Sequence, residues 1–195
     1  MKIIDISQEL LSCKVYEGDP APKVNKIIDM EDGGVYNLSA LSLCAHNGTH
    51  IDAPRHFFKD GRTVDEIPLE YFVGECFVAQ ANGDITATDA REILKKAKHL
   101  GAEKRILIKG EATVTEEAAL VFADADILLI GVESQSVGPL DAPMQVHKIL
   151  LSKNIVLLEG LVLEEAQEGR YLLNCAPLNI KGVEGSPTRA ILIEE

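Results

Sequence analysis

Several features that mark other classes of protein are missing from this 195-residue chain. No apolar run reaches the ~20 residues of a transmembrane helix, which argues against a protein that spans a membrane. The segment Met1 to Ser7 meets an acidic residue at once and has no small-residue cleavage site, so it is not typical of a signal peptide. We therefore expect a cytoplasmic protein with no membrane partner.

Basic clusters and paired cysteine motifs are also missing. The chain has 19 Lys and Arg against 31 Asp and Glu, a net charge of −12, with no block of basic residues. This charge balance argues against a nucleic-acid partner. The four cysteines are widely spread without a Cys-x-x-Cys pair, so neither disulfides nor a thiolate metal site is expected.

What the chain does contain is enough apolar material for one folded domain. Hydrophobic residues make up 46% of the sequence. Several strand patterns come first, and helical and strand patterns then alternate. The length and this order predict a single mixed α/β domain over residues 1–195. Within it, Val35 to Ala45 is predicted to be a long strand, and Thr113 to Glu116 fits a capping box at the start of a helix.

A cluster of histidines follows the predicted strand. Three of the five histidines, His46, His50 and His56, fall within eleven residues, and Asp52 lies among them. Imidazole nitrogen and carboxylate oxygen together suit zinc, manganese, iron or cobalt. Isolated histidines are usually surface or hydrogen-bonded residues. Three histidines and an aspartate packed among Gly, Thr and Pro favour a metal site instead.

The spacing of these groups indicates how they meet. In an extended chain, side chains two residues apart project to the same side, so His50, Asp52 and His56 share one face. Pro54 disfavours helix for the residue before it, and Gly48 permits a sharp turn near His50. Three or four donors are too few for the usual two-metal site, so further ligands must come from elsewhere in the chain.

Three other segments, two after the histidine cluster and one before it, contain further candidate site residues. His147 lies on a predicted helix from Met144 to Lys153, and Glu159 ends the apolar strand Ile155 to Leu158. A carboxylate there has either emerged into solvent or found a partner or a metal. The turn-rich segment Val15 to Pro22 is interpreted as a plain connector, the alternative being a rim that carries Tyr16 toward a pocket.

These residues together resemble a known family. The run His46-Asn47-Gly48-Thr49-His50-Ile51-Asp52-Ala53-Pro54-Arg55-His56-Phe57 is similar to the signature His-x-Gly-Thr-His-x-Asp-x-Pro-x-His-Phe of the cyclase family, which includes bacterial kynurenine formamidase (arylformamidase) and isatin hydrolase. The resemblance extends over nearly the whole chain. It also covers Tyr16 to Pro20, Gly131 to Val137, the pair His147 and Glu159, and Gly185 to Ala190.

The resemblance implies a swivelling β/β/α-type fold, assembled as a homodimer or homotetramer. It implies one or two divalent ions, zinc or alternatively manganese, on the metal ligands His46, His50, Asp52, His147 and Glu159. Asp52 would bridge the two ions. The counterpart of His56 is the catalytic acid/base, and Tyr16 and Phe57 correspond to substrate-binding positions.

The activity implied is metal-dependent hydrolysis of an amide-type C–N bond in a small, aromatic substrate. N-formylkynurenine is a candidate, which would place the enzyme in tryptophan catabolism. Three pocket positions depart from the family pattern: Tyr16 for tryptophan, Glu133 for aspartate, and 109–111 for Arg-Thr-Gly. Two alternatives stay open, a metal-dependent lyase or cyclase acting on a small carbonyl compound and a non-catalytic metal-binding protein. His56 argues against the second, because a structural site needs no spare base.

Overall fold

The computed structural model of the chain describes residues 1–142 and 144–194, and most of its strands join one mixed sheet. Numbered along the chain, the strands are β1 (Lys2–Asp5), β2 (Lys23–Ile28), β3 (Leu38–Ser42), β4 (His50–Asp52), β5 (Val73–Gln80), β6 (Gly83–Ile85), β7 (Arg105–Lys109), β8 (Ala112–Val114), β9 (Leu129–Val132), β10 (Val156–Glu159), β11 (Gly169–Asn174), β12 (Gly185–Pro187) and β13 (Ile191–Glu194). The helices are α1 (Ala87–His99), α2 (Glu116–Asp124) and α3 (Met144–Leu151).

The main sheet has a parallel centre with antiparallel strands on both sides. Its spatial order is β1-β13-β11-β5-β7-β9-β10-β4-β12. Strands β5, β7, β9 and β10 run parallel to one another. Nearly all residues of β7, β9 and β10 are buried on both faces, as expected for parallel strands. Strand β4 pairs antiparallel to β10. This mixed arrangement agrees with the predicted fold class.

Two apolar clusters cover the two faces of this sheet. One packs the three helices against the sheet and includes Phe77, Ile106 and Leu157. The other lies on the opposite face and includes Leu107 and Leu158. Because successive strand residues point to opposite faces, Leu157 and Leu158 belong to different clusters.

The same alternation places the polar residues of β4 and β10. Ile51 belongs to the cluster away from the helices and is fully buried, so His50 and Asp52 project to the helix face. In β10, Leu157 faces the helices, and Glu159, two residues later, faces the same side. The pairing of the strands sets Glu159 opposite His50 and Leu157 opposite Asp52.

A small two-stranded sheet, β2–β3, stands apart from the main sheet. The prediction of a strand over 35–45 was too long, because β3 covers only Leu38–Ser42. All of β3 and nearly all of β2 are exposed to solvent. The apolar alternation there predicted a strand correctly but does not mark a face buried in this chain.

Local capping chemistry sets the helix starts. Thr86 and Asp89 form a capping box at α1, where Thr86 accepts a hydrogen bond from the Asp89 amide. The predicted capping box of Thr113 is wrong, because that residue lies in β8 and α2 is capped by Thr115. Among the described residues, no helix is long and apolar enough to cross a membrane.

Candidate active site

The five predicted metal ligands meet at one cavity. His46, His50, Asp52, His147 and Glu159 all line a space of about 230 Å³ at the helix face of the sheet. Four of them are at most 4% exposed, and the side chain of His46 is 15% exposed. Buried ionisable groups at this density need partners or metal ions, so the arrangement is a candidate metal centre.

The first donor group consists of His46, His50 and Asp52. Asp52 Oδ1 lies 2.7 Å from His46 Nδ1 and 3.4 Å from His50 Nε2. His50 Nδ1 lies 2.9 Å from the Gly48 carbonyl oxygen, which accepts its hydrogen bond and leaves Nε2 for a ligand. Gly48 adopts φ +63°, the left-handed turn that glycine allows and that the sequence predicted there.

The second donor group consists of Asp52, His147 and Glu159. Asp52 Oδ2 lies 3.7 Å from His147 Nε2, and Glu159 Oε1 lies 3.2 Å from the same nitrogen. The two oxygens of Asp52 therefore face different donor groups. Ligands ~2.0–2.1 Å from a tetrahedral zinc ion lie ~3.3–3.4 Å apart. The separations of 3.2–3.7 Å that involve His50 and His147 are close to this value, whereas the 2.7 Å contact of His46 with Asp52 is a hydrogen bond that a bound ion would replace.

Opposite charges dominate the electrostatics of the cluster. Burial alone would raise the pKa of Asp52, but His46 and His50 hold it well below its usual value. Burial alone would likewise lower the pKa of His50, but Asp52 and Glu159 raise it well above its usual value. Metal ions compete with protons for these same nitrogens, because a histidine ligand must be neutral.

Glu159 is buried, which settles the choice left open by the sequence against a solvent-exposed side chain. Its Oε1 accepts a hydrogen bond of 2.7 Å from the Val137 amide. Burial and the neighbouring Asp52 would raise the pKa of Glu159, but His147 and His50 lower it overall. The strand therefore ends in an ionised carboxylate that is fixed from one side by the backbone.

His56 stands beside the donor groups without belonging to either. It ends a short 3-10 turn, Pro54–His56, and its Nε2 lies 3.9 Å from Asp52 Oδ2. Its side chain is 30% exposed, and its ring contacts Phe57 at a centroid distance of 4.6 Å. Burial and the neighbouring histidines lower the pKa of His56, which favours the neutral imidazole that can accept a proton.

Tyr16 and Phe57, the two predicted substrate-binding residues, both line the cavity. The Tyr16 hydroxyl donates a hydrogen bond of 3.1 Å to the Leu140 carbonyl. The segment around Tyr16 therefore forms a rim of the cavity, and the interpretation of it as a plain connector is wrong. Phe57 stacks near His147 at a centroid distance of 5.0 Å.

The other two departures from the family pattern are not among the residues that line the cavity. Glu133 accepts hydrogen bonds from the Gly110 and Leu163 amides, at 2.6 and 2.7 Å. Lys109 donates through Nζ to the carbonyls of Glu164 and Ala166. Neither side chain lines the cavity, so both support the surrounding loops.

Sequence reasoning missed several residues that hold or line this site. Asn47 is fully buried between the first two ligands and donates to the Pro20 carbonyl. Thr49 donates to the Gly160 carbonyl at 2.6 Å. Asp19 and Ser136 line the cavity, and the buried Ser136 hydroxyl has no partner among the described residues. The position of Asn47 and Thr49 inside the histidine run was the available signal.

Comparison with known proteins supports this assignment. Residues 4–139 match the family model described as "Putative cyclase". A kynurenine formamidase of Salinibacter ruber is 34% identical over 98% of this chain and 97% of its own. A structure described as a potential metal-dependent hydrolase with cyclase activity is 30% identical, with a TM-score of 0.81 over 98% of this chain and 96% of its own.

The fold is shared more widely than the sequence. Isatin hydrolase A of Labrenzia aggregata superposes with a TM-score of 0.84 over 100% of this chain and 94% of its own, at 22% identity. That likeness confirms the predicted mixed α/β fold. The relatives and the donor cluster together confirm the predicted enzyme class, a metal-dependent amidohydrolase. By its sequence match and its whole-length relatives, the chain belongs to the cyclase family.

Proposed function

We propose that the protein hydrolyses the amide-type C–N bond of a small aryl amide, with aryl formamides as the substrate class. The observation that carries this proposal is that the two oxygens of Asp52 face two separate groups of metal donors in one cavity. The relatives named kynurenine formamidase favour N-formylkynurenine as the candidate substrate. With that substrate the enzyme would act in tryptophan catabolism.

The donor set supports two divalent ions. His46, His50 and Asp52 would hold one ion, and Asp52, His147 and Glu159 would hold the other. Imidazole and carboxylate ligands at these separations suit zinc, with manganese as the alternative. When bound, such ions lower the pKa of water from ~15.7 toward ~7 and polarise a carbonyl oxygen.

His56 is the proposed acid/base. It lies on the cavity wall, close to both donor groups but outside them, and its lowered pKa keeps the imidazole neutral. Its ring accepts a proton from the attacking water and then donates it to the departing nitrogen, so the amine leaves neutral. One histidine serves both steps, because imidazole exchanges protons near neutral pH.

Phe57 and Tyr16 are proposed to hold the aromatic body of the substrate. Phe57 lies against both His56 and His147, so an aryl group stacked on it would stand next to the acid/base. The hydrogen bond from Tyr16 to Leu140 fixes its ring at the rim. These rings also exclude bulk water from the reacting atoms, which strengthens electrostatic interactions there.

We also propose a homodimer or homotetramer that acts in the cytoplasm as one domain over residues 1–195. The apolar side chains of Val24, Ile27, Leu38 and Leu41 are 42–61% exposed on the small β2–β3 sheet, which supports association between copies. The four free cysteines fit a reducing compartment. The pairing of Lys2 with Glu194 in the main sheet supports a single domain.

The decisive experiment combines metal analysis with isotope labelling. Protein purified without chelator is assayed for zinc and manganese, and then for hydrolysis of formanilides, isatins and cyclic imides in ¹⁸O water. Hydrolysis installs the label in the released carboxylate, for example in formate. Turnover that leaves the product unlabelled would refute hydrolysis and favour the lyase or cyclase alternative.

A further inference from the structure

We infer that the outer end of the cavity recognises an ammonium group on the substrate, with Asp19 as its charge partner. The inference rests on the proposed function, because it assumes that the amide end of the substrate reaches the metal donors. The relevant surface is the rim, formed by Tyr16, Asp19 and Gln135, which line the cavity beyond the metal donors.

The Tyr16 hydroxyl and one N–H of Gln135 already donate hydrogen bonds within the protein. The Tyr16 hydroxyl donates to the Leu140 carbonyl at 3.1 Å, and Gln135 Nε2 donates to the Lys14 carbonyl at 2.8 Å. What remains for a substrate is mainly a set of acceptors, the Asp19 carboxylate, the Gln135 amide oxygen and the Tyr16 oxygen, beside the second N–H of Gln135. A ring of acceptors binds a group that only donates, as an ammonium does.

The backbone holds Asp19 in place at this rim. Its amide donates to the Tyr16 carbonyl at 3.0 Å, which closes a tight turn. The next carbonyl, that of Pro20, accepts a hydrogen bond from the buried Asn47, which lies between His46 and the Gly48 turn. Within residues 1–142 and 144–194, the Asp19 carboxylate itself forms no ion pair or hydrogen bond. It is a preorganised and unpaired acceptor, tied to the loop that carries the metal donors.

The only formal charge among the three rim residues is that of Asp19. The cavity also contains Asp52, Glu159 and four histidines, and no lysine or arginine among the described residues, and the ions proposed for the donor groups would offset the charge of Asp52 and Glu159. Asp52 and Glu159 belong to the donor groups, so Asp19 is the carboxylate left for a substrate. The net charge of −12 adds a field that attracts cations. An ammonium is therefore favoured at the rim, and a carboxylate is disfavoured.

The test uses three matched formanilides that differ only in the para group: aminomethyl (a cation), methyl (neutral) and carboxymethyl (an anion). We expect wild-type enzyme to show the highest kcat/KM for the cation. In Asp19→Asn the cation-to-neutral ratio of kcat/KM should fall about five- to tenfold, since a partly exposed charge-assisted contact is worth this much. The anion-to-neutral ratio should rise in the same variant.

Glu17→Gln is the matched control. Glu17 lies two residues before Asp19 in the same loop, is exposed, and does not line the cavity. The Glu17→Gln substitution removes the same charge from the protein as Asp19→Asn does, and it should keep the wild-type cation-to-neutral and anion-to-neutral ratios of kcat/KM. If Glu17→Gln lowers the cation ratio as much as Asp19→Asn does, the preference comes from net charge and the inference is wrong. Unchanged ratios in Asp19→Asn would overturn it as well.

Binding of the products separates this inference from the proposed reaction. Calorimetry on metal-loaded protein measures the affinity for the three amine products, 4-aminobenzylamine (cation), p-toluidine (neutral) and 4-aminophenylacetate (anion). Each titration is repeated with 0.5 M added salt, which shortens the electrostatic screening length to ~4 Å. We expect wild type to bind the cation most tightly, and this preference to weaken in salt and in Asp19→Asn. Cation-selective binding without turnover of any formanilide would refute the proposed reaction and leave the recognition of ammonium standing. Equal binding of the cation and the neutral amine by wild type would refute the recognition itself.

Discussion

The bridging position proposed for Asp52 leads to a quantitative prediction about metal content. Asp52 Oδ1 faces His46 and His50, and Oδ2 faces His147. Asparagine keeps the size of the side chain but offers one neutral oxygen and an NH₂ group that cannot bind a cation. Asp52→Asn should therefore weaken both sites, whereas Glu159→Gln should weaken only the second.

The magnitude follows from the ligands that each site loses. Loss of an outer-shell partner alone costs ~10–100-fold in metal affinity, so loss of the shared anionic ligand should cost more than ~100-fold, or about 2.7 kcal/mol. We expect about two ions per chain in wild type, one in Glu159→Gln and fewer than one in Asp52→Asn. In Glu159→Gln the amide oxygen can still accept the Val137 hydrogen bond, so the strand end should keep its geometry.

Inductively coupled plasma mass spectrometry after dialysis against a fixed free-metal concentration measures these ratios. The matched control is Glu17→Gln, because Glu17 is exposed, belongs to neither donor group and does not line the cavity. That variant should keep both ions. If Asp52→Asn retained two ions with wild-type affinity, the assignment of Asp52 to both groups would be refuted. Loss of both ions in Glu159→Gln would contradict the division into two groups.

Three further predictions concern rate and stability. His56→Ala should retain its metal, and its kcat should fall ~10²–10⁴-fold. If a sample with wild-type metal content kept a kcat near that of wild type, His56 would not be the acid/base. Metal removal by a chelator should lower Tm by about 11–22 °C, since each of two ions at 100 times Kd contributes ~2.7 kcal/mol and 1 kcal/mol shifts Tm by ~2–4 °C at this chain length. Scanning fluorimetry showing no shift would contradict a native-state metal site. Thr49→Val should cost about 1–3 kcal/mol in urea unfolding, because it leaves the Gln8 amide without its acceptor, while the Gly160 carbonyl keeps the hydrogen bond from Gln8 Nε2. An unchanged midpoint would contradict a stabilising role for the Thr49 hydroxyl.

Strand periodicity in the sequence predicted the most local part of the site. His50 and Asp52 share a face because they are two residues apart in an extended segment, and the structure places them in β4. His56, although an even number of residues away, reaches the same cavity by another route, since the chain turns into a 3-10 helix at Pro54. The shared face was therefore correct for two of the three groups, and the third was placed by the turn.

Residues distant in sequence could not be placed from the pattern alone. Glu159 was equally compatible with solvent, because its burial depends on the pairing of β10 with β4, a contact between segments more than 100 residues apart. The family motif, and not periodicity, predicted that it joins His147. Alternation of apolar residues over 35–45 predicted a strand there, but not its length or that all of β3 is exposed.

The metal donors were easier to predict from the sequence than the substrate, because most donors lie on strands and the cavity rim is a loop. Three of the five metal donors, His50, Asp52 and Glu159, lie on buried, paired strands, where one register fixes several side chains at once. The rim is a loop whose position depends on individual bonds such as those of Gln135 and Asn47 to backbone carbonyls. A loop tolerates substitution more readily than a paired strand. A change at Tyr16 can therefore alter the substrate while the donor groups stay intact, which is the combination that this sequence shows.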